Sequence, residues 1–447
     1  MDKKKIKWLY GELPLLVDRQ IISEESAERL RQYYGDVEEG SGRRMAFIVF
    51  AILGAALIGA GIILILAHNW DALSRTLRTF LALAPLISAQ SLAGWVIWRR
   101  SESAAWREGT ATFLVFAVGA SIALISQTYH ISGGGDSFLL TWMLLSVPLV
   151  YLMRANVPAL LYTAGITAWS AGCGSGHAFY YWPLAALIVP HFVILGRENL
   201  FSNRLIVLSW VFTLSFCVAV GTTAKESLPF SWPLVYLVYC GVFAVLYLGG
   251  SLLYTKGQGW WRQPFVSVGA AGITVITFLL TNQRIWANIG WFGYRMNEPG
   301  AGNLLLTLGL PLVVVTSCLL AACVRRKQAG RVLLGVAPLV VFGGYIFFTY
   351  LASGAEKTGI PVNTIVPAVL FNVYFFILGV NTTVSGIRSG RLGTVNAGMF
   401  LLAALVLARF FDSGIGFVIR GVVFIIVGVG FLTTNLVLLR RGRERAV

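Results

Sequence analysis

Three groups of residues in this sequence combine charged and hydrogen-bonding side chains near the ends of apolar segments. The first group is Asn69-Trp70-Asp71, followed by Arg75 and Arg78. A guanidinium group pairs bidentately with a carboxylate of the protein, or with the phosphate or carboxylate of a ligand. This group therefore predicts either internal salt bridges from the aspartate or a positively charged site for an anionic ligand.

The second group, near the end of the sequence, has the same composition. Arg409 and Asp412 follow the apolar run Leu405-Val406-Leu407-Ala408, and Arg420 lies further on. The four arginines of the two groups outnumber the two aspartates, so positive charge remains even if each aspartate forms a salt bridge. Because an isolated ion close to hydrocarbon is costly, these charges must pair, bind a ligand or contact water.

The third group surrounds a glycine-rich turn. Its candidate ligand-binding residues are Gln127, Tyr129, His130, Asp136 and Trp142. Histidine changes its protonation state near neutral pH, so a proton relay between His130 and Asp136 is one interpretation. The other is a loop histidine that forms ordinary hydrogen bonds, as lone loop histidines usually do.

Composition indicates which elements must position these groups. The chain of 447 residues is 57% hydrophobic and 12% charged, against about 25% charged in soluble proteins. We count about fourteen apolar segments that approach or reach spanning length, of which those between 137 and 195 are the shortest. The series begins with 45–67, 76–98 and 109–127 and ends with 393–411 and 416–438. The sequence thus predicts an all-α fold, a polytopic integral membrane helical bundle.

Basic residues set the predicted orientation of this bundle. Clusters of Lys and Arg follow every second segment, whereas the connections on the other side carry little charge. Since basic residues accumulate in cytoplasmic connections, both termini are predicted to lie inside and the number of spans to be even. About twelve spans would satisfy this parity as well as about fourteen. The same rule accounts for the net charge of +16, so no nucleic acid partner is predicted.

A small cytosolic helical hairpin is predicted to precede the bundle. Its first helix should run from Lys4 to Arg19 with a kink or break at Pro14, and its second from an N-cap at Ser23 to Tyr34. Because so few apolar residues cannot form a core alone, the hairpin should dock on the bundle or bind a protein partner. The predicted domains are the hairpin with its linker, the bundle and a basic tail, at 1–44, 45–440 and 441–447.

Two further expectations concern the second half of the chain. The connection 282–302 holds Trp286 and other aromatic residues, which predicts an aromatic segment at the outer membrane interface. Asn372 and Asn381 lie inside predicted spans and should join helices or face a cavity.

Motifs of soluble enzymes and metal sites are absent from the sequence. It contains no phosphate-binding glycine loop, no zinc-protease motif and no hydrolase Gly-x-Ser-x-Gly motif. The five cysteines form no Cys-x-x-Cys pair and lie in or beside apolar segments, which is typical of reduced, buried thiols. We therefore predict no catalytic residue, no metal and no cofactor.

Several patches of the sequence resemble one known family. They are the hairpin from Trp8 to Tyr34 with Ile21-Ile22-Ser23-Glu24-Glu25-Ser26-Ala27-Glu28, the turn Ala67-His68-Asn69-Trp70-Asp71 leading to Arg75 and Arg78, Gln127-Thr128-Tyr129-His130 with Trp142, and Arg409-Phe410-Phe411-Asp412 with Arg420-Gly421. They resemble the bacterial membrane protein family filed as domain of unknown function 2157. The resemblance implies a bacterial cytoplasmic (inner) membrane. It implies no activity, because the family has none established.

These observations favour a transporter-like, non-enzymatic protein of the bacterial inner membrane. Its Asp and Arg groups would form an outer-facing polar cavity, surrounded by membrane lipids, that binds or moves an anionic lipid or cell-envelope precursor. One alternative is a scaffold or signalling accessory that binds a protein partner through residues 1–44. The other is an envelope glycosyl- or phosphotransferase with Asp71 as base or metal ligand, although no second acid lies close to it in sequence.

Overall fold

A computed structural model describes most of the chain. The described residues are 3–34, 72–172, 176–227, 232–254, 259–287, 301–326, 332–358, 364–410, 422, 425 and 428–430. All regular elements within these ranges are helices. The chain forms two compact units, Met1–Leu81 and Ala82–Val447. The predicted domain boundary after residue 44 stays a prediction.

The first unit contains the predicted N-terminal hairpin. Helix α1 is Lys3–Asp18 and helix α2 is Glu24–Tyr34, in close agreement with the sequence-based ranges. The Ser23 hydroxyl oxygen accepts a hydrogen bond from the Ser26 N–H at 3.2 Å, which confirms Ser23 as the N-cap. Helix α1 continues through Pro14, so this residue does not split it. Proline removes one intrahelical hydrogen bond, and α1 tolerates the loss at an exposed position.

The remaining principal helices include several of membrane-spanning length. In chain order they are α3 Arg75–Arg99, α4 Ala104–Tyr129, α5 Gly135–Leu152, α6 Asn156–Gly172, α7 Tyr181–Ala186, α8 Val189–Glu198, α9 Asn203–Ser227, α10 Trp232–Leu253, α11 Pro264–Leu279, α12 Ala301–Arg325, α13 Val332–Gly335, α14 Ala337–Thr358, α15 Ile365–Ser389 and α16 Leu392–Phe410. Within the described ranges, 7 helices are long and apolar enough to cross a membrane, namely α3, α4, α5, α9, α10, α15 and α16. The number is 8 if the pair α7–α8, bent by 42°, forms one span.

The predicted apolar segments agree with these helices wherever the structure describes them. Each segment from 76–98 to 393–411 coincides with one helix or with consecutive short helices. Segment 45–67 lies outside the described residues, and 416–438 lies largely outside them. The helices therefore fit a multi-pass membrane protein, while the count of about fourteen spans stays a prediction.

Helices α3 to α9 pack around two clusters of buried side chains. The smaller cluster joins α3 to α4 and consists mainly of alanines, Ala89, Ala93, Ala111 and Ala117 among them. Small side chains let two helix backbones approach closely inside a membrane. The larger cluster joins α5 to α9 and is built around the fully buried rings of Tyr162 and Tyr181.

Helices α10 to α15 pack around a third cluster, which holds large aromatic side chains. Trp286 is fully buried there, with its ring centroid 5.4 Å from that of Phe371 and 5.5 Å from that of Phe348. Trp286 is therefore a residue of the protein core, while the aromatic segment at the outer membrane interface stays a prediction. The Trp286 indole N–H donates to the Leu280 carbonyl at 2.7 Å, and this partner allows the ring to enter the core. The other aromatic residues of that segment lie outside the described residues.

Candidate functional site

A groove of about 460 Å³ between α3, α4 and α5 is our candidate functional site. We call it the α3–α5 groove. Its apolar wall residues are Leu83, Leu86, Ile122, Ile125, Ile131 and Phe138. Its hydroxyl-bearing residues are Ser121, Ser126, Ser132, Ser137 and Thr141. Apolar walls with a few hydrogen-bonding groups are the usual composition of a small-molecule site.

The turn between α4 and α5 shapes one end of this groove. Helix α4 ends at Tyr129 and is capped by His130, whose backbone adopts the left-handed conformation with φ of 50°. The Ile131 N–H donates to the Ser126 carbonyl at 3.0 Å, and the Ser126 hydroxyl donates to the Ile131 carbonyl at 3.2 Å. Gly134 then precedes α5, and a Cβ added there would collide with the carboxylate of Asp136. A side chain at this position would therefore require the Asp136 carboxylate to move.

The hydroxyl groups of the groove donate to backbone carbonyls and keep their capacity to accept. Ser137 donates to the Gly134 carbonyl at 2.8 Å, and Thr141 donates to the Ser137 carbonyl at 2.7 Å. Ser121 donates to the Ala82 carbonyl at 2.7 Å and so joins α4 to α3. Because a hydroxyl oxygen carries two lone pairs, these groups can accept hydrogen bonds from the hydroxyl or amino groups of a ligand. The groove suits an amphipathic ligand with a polar head of this kind.

The third predicted group lies around the same turn, but its members do not line the groove. Gln127 and His130 are exposed at the end of α4, and Tyr129 is 52% exposed. Asp136 is half-buried in the first turn of α5, where the helix dipole favours a carboxylate. The structure brings these four residues to one turn, while the sequence-based reasoning missed the hydroxyl groups beside them. Their signal was a spacing of four residues between Ser137 and Thr141, which places them on one helix face.

Trp142 packs α5 against α4 and does not line the groove. Its indole N–H donates to the Val115 carbonyl at 2.7 Å. Its ring covers Gly119 so closely that an added Cβ would overlap with it. The ring centroids of Phe138 and Phe116 lie 5.7 Å and 6.3 Å away. In the described contacts Trp142 is therefore a helix-packing residue.

The two arginine groups are described only in part. Arg75 begins α3 and is exposed, and the Arg78 Nε–H donates to the Leu73 carbonyl at 3.0 Å. The group members outside the described residues are Asn69, Trp70, Asp71, Asp412 and Arg420. Internal salt bridges and an anionic ligand therefore both stay predictions for these groups. The transferase alternative, which depends on Asp71, also stays a prediction.

Arg409 lies where α11, α15 and α16 meet. Its guanidinium group donates to the hydroxyl of Thr281 at 3.4 Å. Thr281 is only 1% exposed, and its carbonyl accepts a hydrogen bond from the side-chain amide of Asn372 at 3.0 Å. This contact confirms the prediction that Asn372 joins helices. It also shows that Arg409 takes part in a partly buried polar contact.

Glu108, which the sequence-based reasoning missed, joins α4 to α6. Its carboxylate accepts hydrogen bonds from the N–H groups of Asn156 and Val157, each at 2.9 Å. These amides open α6, where the helix itself offers no partner and the dipole favours a negative charge. The side-chain amide of Asn156 donates to the Arg204 carbonyl at 3.2 Å, so the contact extends to α9. Glu108 therefore joins α4 to the N-terminus of α6, and Asn156 joins that N-terminus to α9.

Comparison with known families identifies the N-terminal part of the chain. Residues 14–159 match the family described as Predicted membrane protein (DUF2157). The family resemblance is confirmed over these residues. The DUF2157 region includes α2 to α5 and the whole α3–α5 groove. No curated protein and no solved structure matches the chain.

Proposed function

We propose that this protein is a transporter-like protein of the bacterial inner membrane that binds and moves an anionic lipid or cell-envelope precursor in the α3–α5 groove. The observation that carries the proposal is the combination of apolar walls and hydroxyl groups inside the DUF2157 region. An acyl chain would lie against Ile125 and Phe138. Glycerol or sugar hydroxyls of the head group would donate to Ser137 and Thr141.

We also propose that the arginines of the two sequence groups bind an anionic group, independently of the α3–α5 groove. Guanidinium groups bind phosphate bidentately, which gives both charge and orientation. This part of the proposal rests on the sequence, and for Arg420 on the sequence alone.

Interrupted helices support a bundle that changes shape around its ligand. The pair α7–α8 bends by 42° where the two helices meet. Broken spans are typical of transporters that move one part of a bundle against another. Pro85 and Pro148 lie within α3 and α5, and each removes one intrahelical hydrogen bond. Two of the three helices that border the groove are therefore easier to bend than uninterrupted helices.

Native mass spectrometry of the protein extracted with its own membrane lipids tests this function. The wild type should retain a specific anionic adduct. The variant Ser137→Leu/Thr141→Leu, which fills the groove, should reduce its occupancy by about tenfold or more, or about 1.4 kcal/mol in affinity. The matched control is Ser88→Leu. Ser88 lies exposed on α3, donates to the Pro85 carbonyl at 2.9 Å and does not line the groove.

Two results would contradict the proposal in different ways. The same adducts in wild type and in the groove variant would show that the groove is not the site. Loss of the adduct in Arg75→Ala/Arg420→Ala, but not in the groove variant, would assign binding to the arginines without the groove. Loss in the groove variant and retention in the control are the expected outcome.

The N-terminal hairpin supports a second candidate function, that of a scaffold or signalling accessory. A cleft of about 800 Å³ lies between α1 and α2. It is lined by the buried residues Leu13 and Ala27, by the acidic residues Asp18, Glu24, Glu25 and Glu28, and by Arg31, which forms a salt bridge with Glu28 at 3.1 Å. Such a cleft suits a protein segment that carries both apolar and basic side chains. Deletion of residues 1–40 should then abolish cross-linking to that partner and leave the helical content of the bundle unchanged, and persistent cross-linking would exclude the hairpin.

A further inference from the structure

A second groove, of about 490 Å³, lies between the helix pairs α10–α11 and α15–α16. We call it the α11–α16 groove. It lies beyond the residues that match DUF2157. Its polar lining residues are Thr274, Asn381, Thr382, Ser385 and Thr394, and none of its lining residues is charged. Apolar side chains such as Val275, Phe400 and Leu401 complete it.

The polar residues of this groove continue along α15 into a positively charged end. Asn381, Ser385 and Arg388 are separated by four and then three residues, so they share one face of the helix. At a rise of about 1.5 Å per residue, Arg388 lies about 10 Å along the axis from Asn381. Arg388 and Arg391 are both exposed, the first in the last turn of α15 and the second just before α16. In the predicted orientation this end faces the cytoplasm.

Asn381 offers hydrogen bonds that none of the described residues uses. Its side chain is exposed in the groove and has no hydrogen-bond partner in the part of the chain that the structure describes. The neighbouring hydroxyls differ, because Thr382 and Thr274 donate to carbonyls of their own helices at 2.7 Å and 2.8 Å. A carboxamide that faces hydrocarbon without a partner is unfavourable. The groove is therefore suited to a ligand with a polar group at the depth of Asn381.

Close helix contacts hold both walls of the groove in place. On one side a Cβ added at Gly398 would overlap with Thr383 of α15. On the other side a Cβ added at Gly269 would overlap with the backbone of Phe243 and Tyr247 in α10. Packed helix pairs of this kind leave little freedom to close the space between them. The groove is therefore a pre-formed site between two tightly packed pairs.

We propose that the α11–α16 groove binds one anionic phospholipid of the cytoplasmic leaflet. The phosphate binds Arg388 and Arg391, the ester carbonyls accept hydrogen bonds from Asn381 and Ser385, and an acyl chain packs against Phe400. The order of groups along the groove selects this occupant. Positive charge lies at the predicted membrane surface, neutral hydrogen-bonding groups lie deeper, and apolar side chains complete the space. The site differs from the one under Proposed function in its helices and in its predicted side of the membrane.

Photolabelling of the full-length protein in nanodiscs tests this site directly. The probes are photoreactive phosphatidylglycerol and, as the zwitterionic comparison without net charge, photoreactive phosphatidylcholine, with labelled peptides mapped by mass spectrometry. In the wild type, phosphatidylglycerol should label α15 and α16 at least about tenfold more strongly than phosphatidylcholine, because the choline ammonium would lie close to the two arginines and offset the charge of the phosphate. The variant Arg388→Gln/Arg391→Gln should remove this preference, and Asn381→Leu should reduce labelling by both probes.

Matched controls separate these effects from general changes in the protein. Arg325→Gln removes an exposed arginine at the end of α12, and Asn396→Leu changes an exposed asparagine of α16 that does not line the groove. Both controls should label like the wild type. The proposal is wrong if the double arginine variant keeps the phosphatidylglycerol preference, or if the controls lose it equally. The variant Ser137→Leu/Thr141→Leu should leave this labelling unchanged, so the two proposed sites can fail independently.

Discussion

Helices α4 to α9 and helices α10 to α15 are both apolar bundles, but different contacts hold them together. In the first bundle, polar groups cross from helix to helix. Glu108 accepts from the N-terminus of α6, and the Tyr181 hydroxyl lies 2.6 Å from that of Ser215. In the second bundle, buried aromatic rings surround Trp286, and glycines such as Gly269 bring helix backbones into contact.

The difference shows two solutions to one physical problem. Two apolar helices gain little by leaving lipid for each other, because lipid is as apolar as their side chains. Cohesion must then come from hydrogen bonds between helices or from close van der Waals packing. Among the described contacts, the first bundle offers the carboxylate of Glu108 at a helix N-terminus, and the second offers the aromatic cluster around Trp286. Each bundle also uses the other means, since Asn372 donates to the Thr281 carbonyl in the second and Trp142 covers Gly119 in the first. We therefore expect substitutions that remove a hydrogen bond, and substitutions that change the volume of a side chain, to alter the stability of the two bundles to different extents.

Trp286→Ala should produce the largest loss of stability. It removes a fully buried ring from the aromatic cluster, and large-to-small core substitutions of this kind cost about 3 kcal/mol or more. The free energy of unfolding can be measured by dodecyl sulfate titration in mixed micelles, followed by circular dichroism. Trp260→Ala is the control, since Trp260 is 71% exposed. Equal effects of the two substitutions would show that the aromatic cluster does not hold the second bundle.

Glu108→Ala should destabilise the first bundle by about 2 kcal/mol. The change leaves the N–H groups of Asn156 and Val157 without their acceptor, and hydrogen bonds to a charged group contribute about 1.5–3 kcal/mol. Glu102→Ala, at an exposed position before α4, should have almost no effect in the same titration. A small effect of Glu108→Ala would mean that water replaces the carboxylate, and that the first bundle also depends mainly on packing.

Sequence patterns predicted the helices well because they depend on local properties of the chain. The lengths of apolar segments and the cap at Ser23 are properties of neighbouring residues, and both agree with the structure. Contacts between helices depend on residues far apart in sequence, such as Glu108 with Asn156 or Trp142 with Gly119. The spacing of apolar residues along the chain does not show which helices will be in contact.

The hydroxyl groups of the candidate site were missed for the same reason. Residues with strong chemical character were selected, and one of them, Trp142, is a helix-packing residue. Serines such as those that line the α3–α5 groove are common in membrane helices, so a single serine in the sequence does not indicate a site. They form a candidate site because α3, α4 and α5 place them on one concave surface. Asn381 was predicted in part. As a polar residue in a predicted span, it was expected to join helices or face a cavity. In the structure it lines the α11–α16 groove.

Gly269→Ala and Gly343→Ala should change stability in opposite directions. A Cβ at Gly269 would overlap with backbone atoms of α10, so the substitution should cost about 1 kcal/mol or more. A Cβ at Gly343 in α14 meets nothing within 4 Å. Alanine forms helices better than glycine, so Gly343→Ala should be neutral or stabilising by up to about 1 kcal/mol. The same titration measures both, and a loss of stability in both variants would indicate a general intolerance of alanine instead of a close contact at Gly269.

Tyr181→Phe should have the smallest effect of this series, about 0.6 kcal/mol, which is the average for a side-chain hydrogen bond inside a membrane. It removes only the hydroxyl that contacts Ser215 and keeps the buried ring. Tyr180→Phe is the matched control, because this neighbouring tyrosine is 60% exposed. A much larger loss for Tyr181→Phe would show that the hydroxyl contacts of Tyr181, Ser215 and Thr167 act as one cooperative network. The first bundle would then depend on its hydrogen bonds as strongly as the second depends on its aromatic core. A loss no greater than that of Tyr180→Phe would leave Glu108 as the polar contact that distinguishes the two bundles energetically.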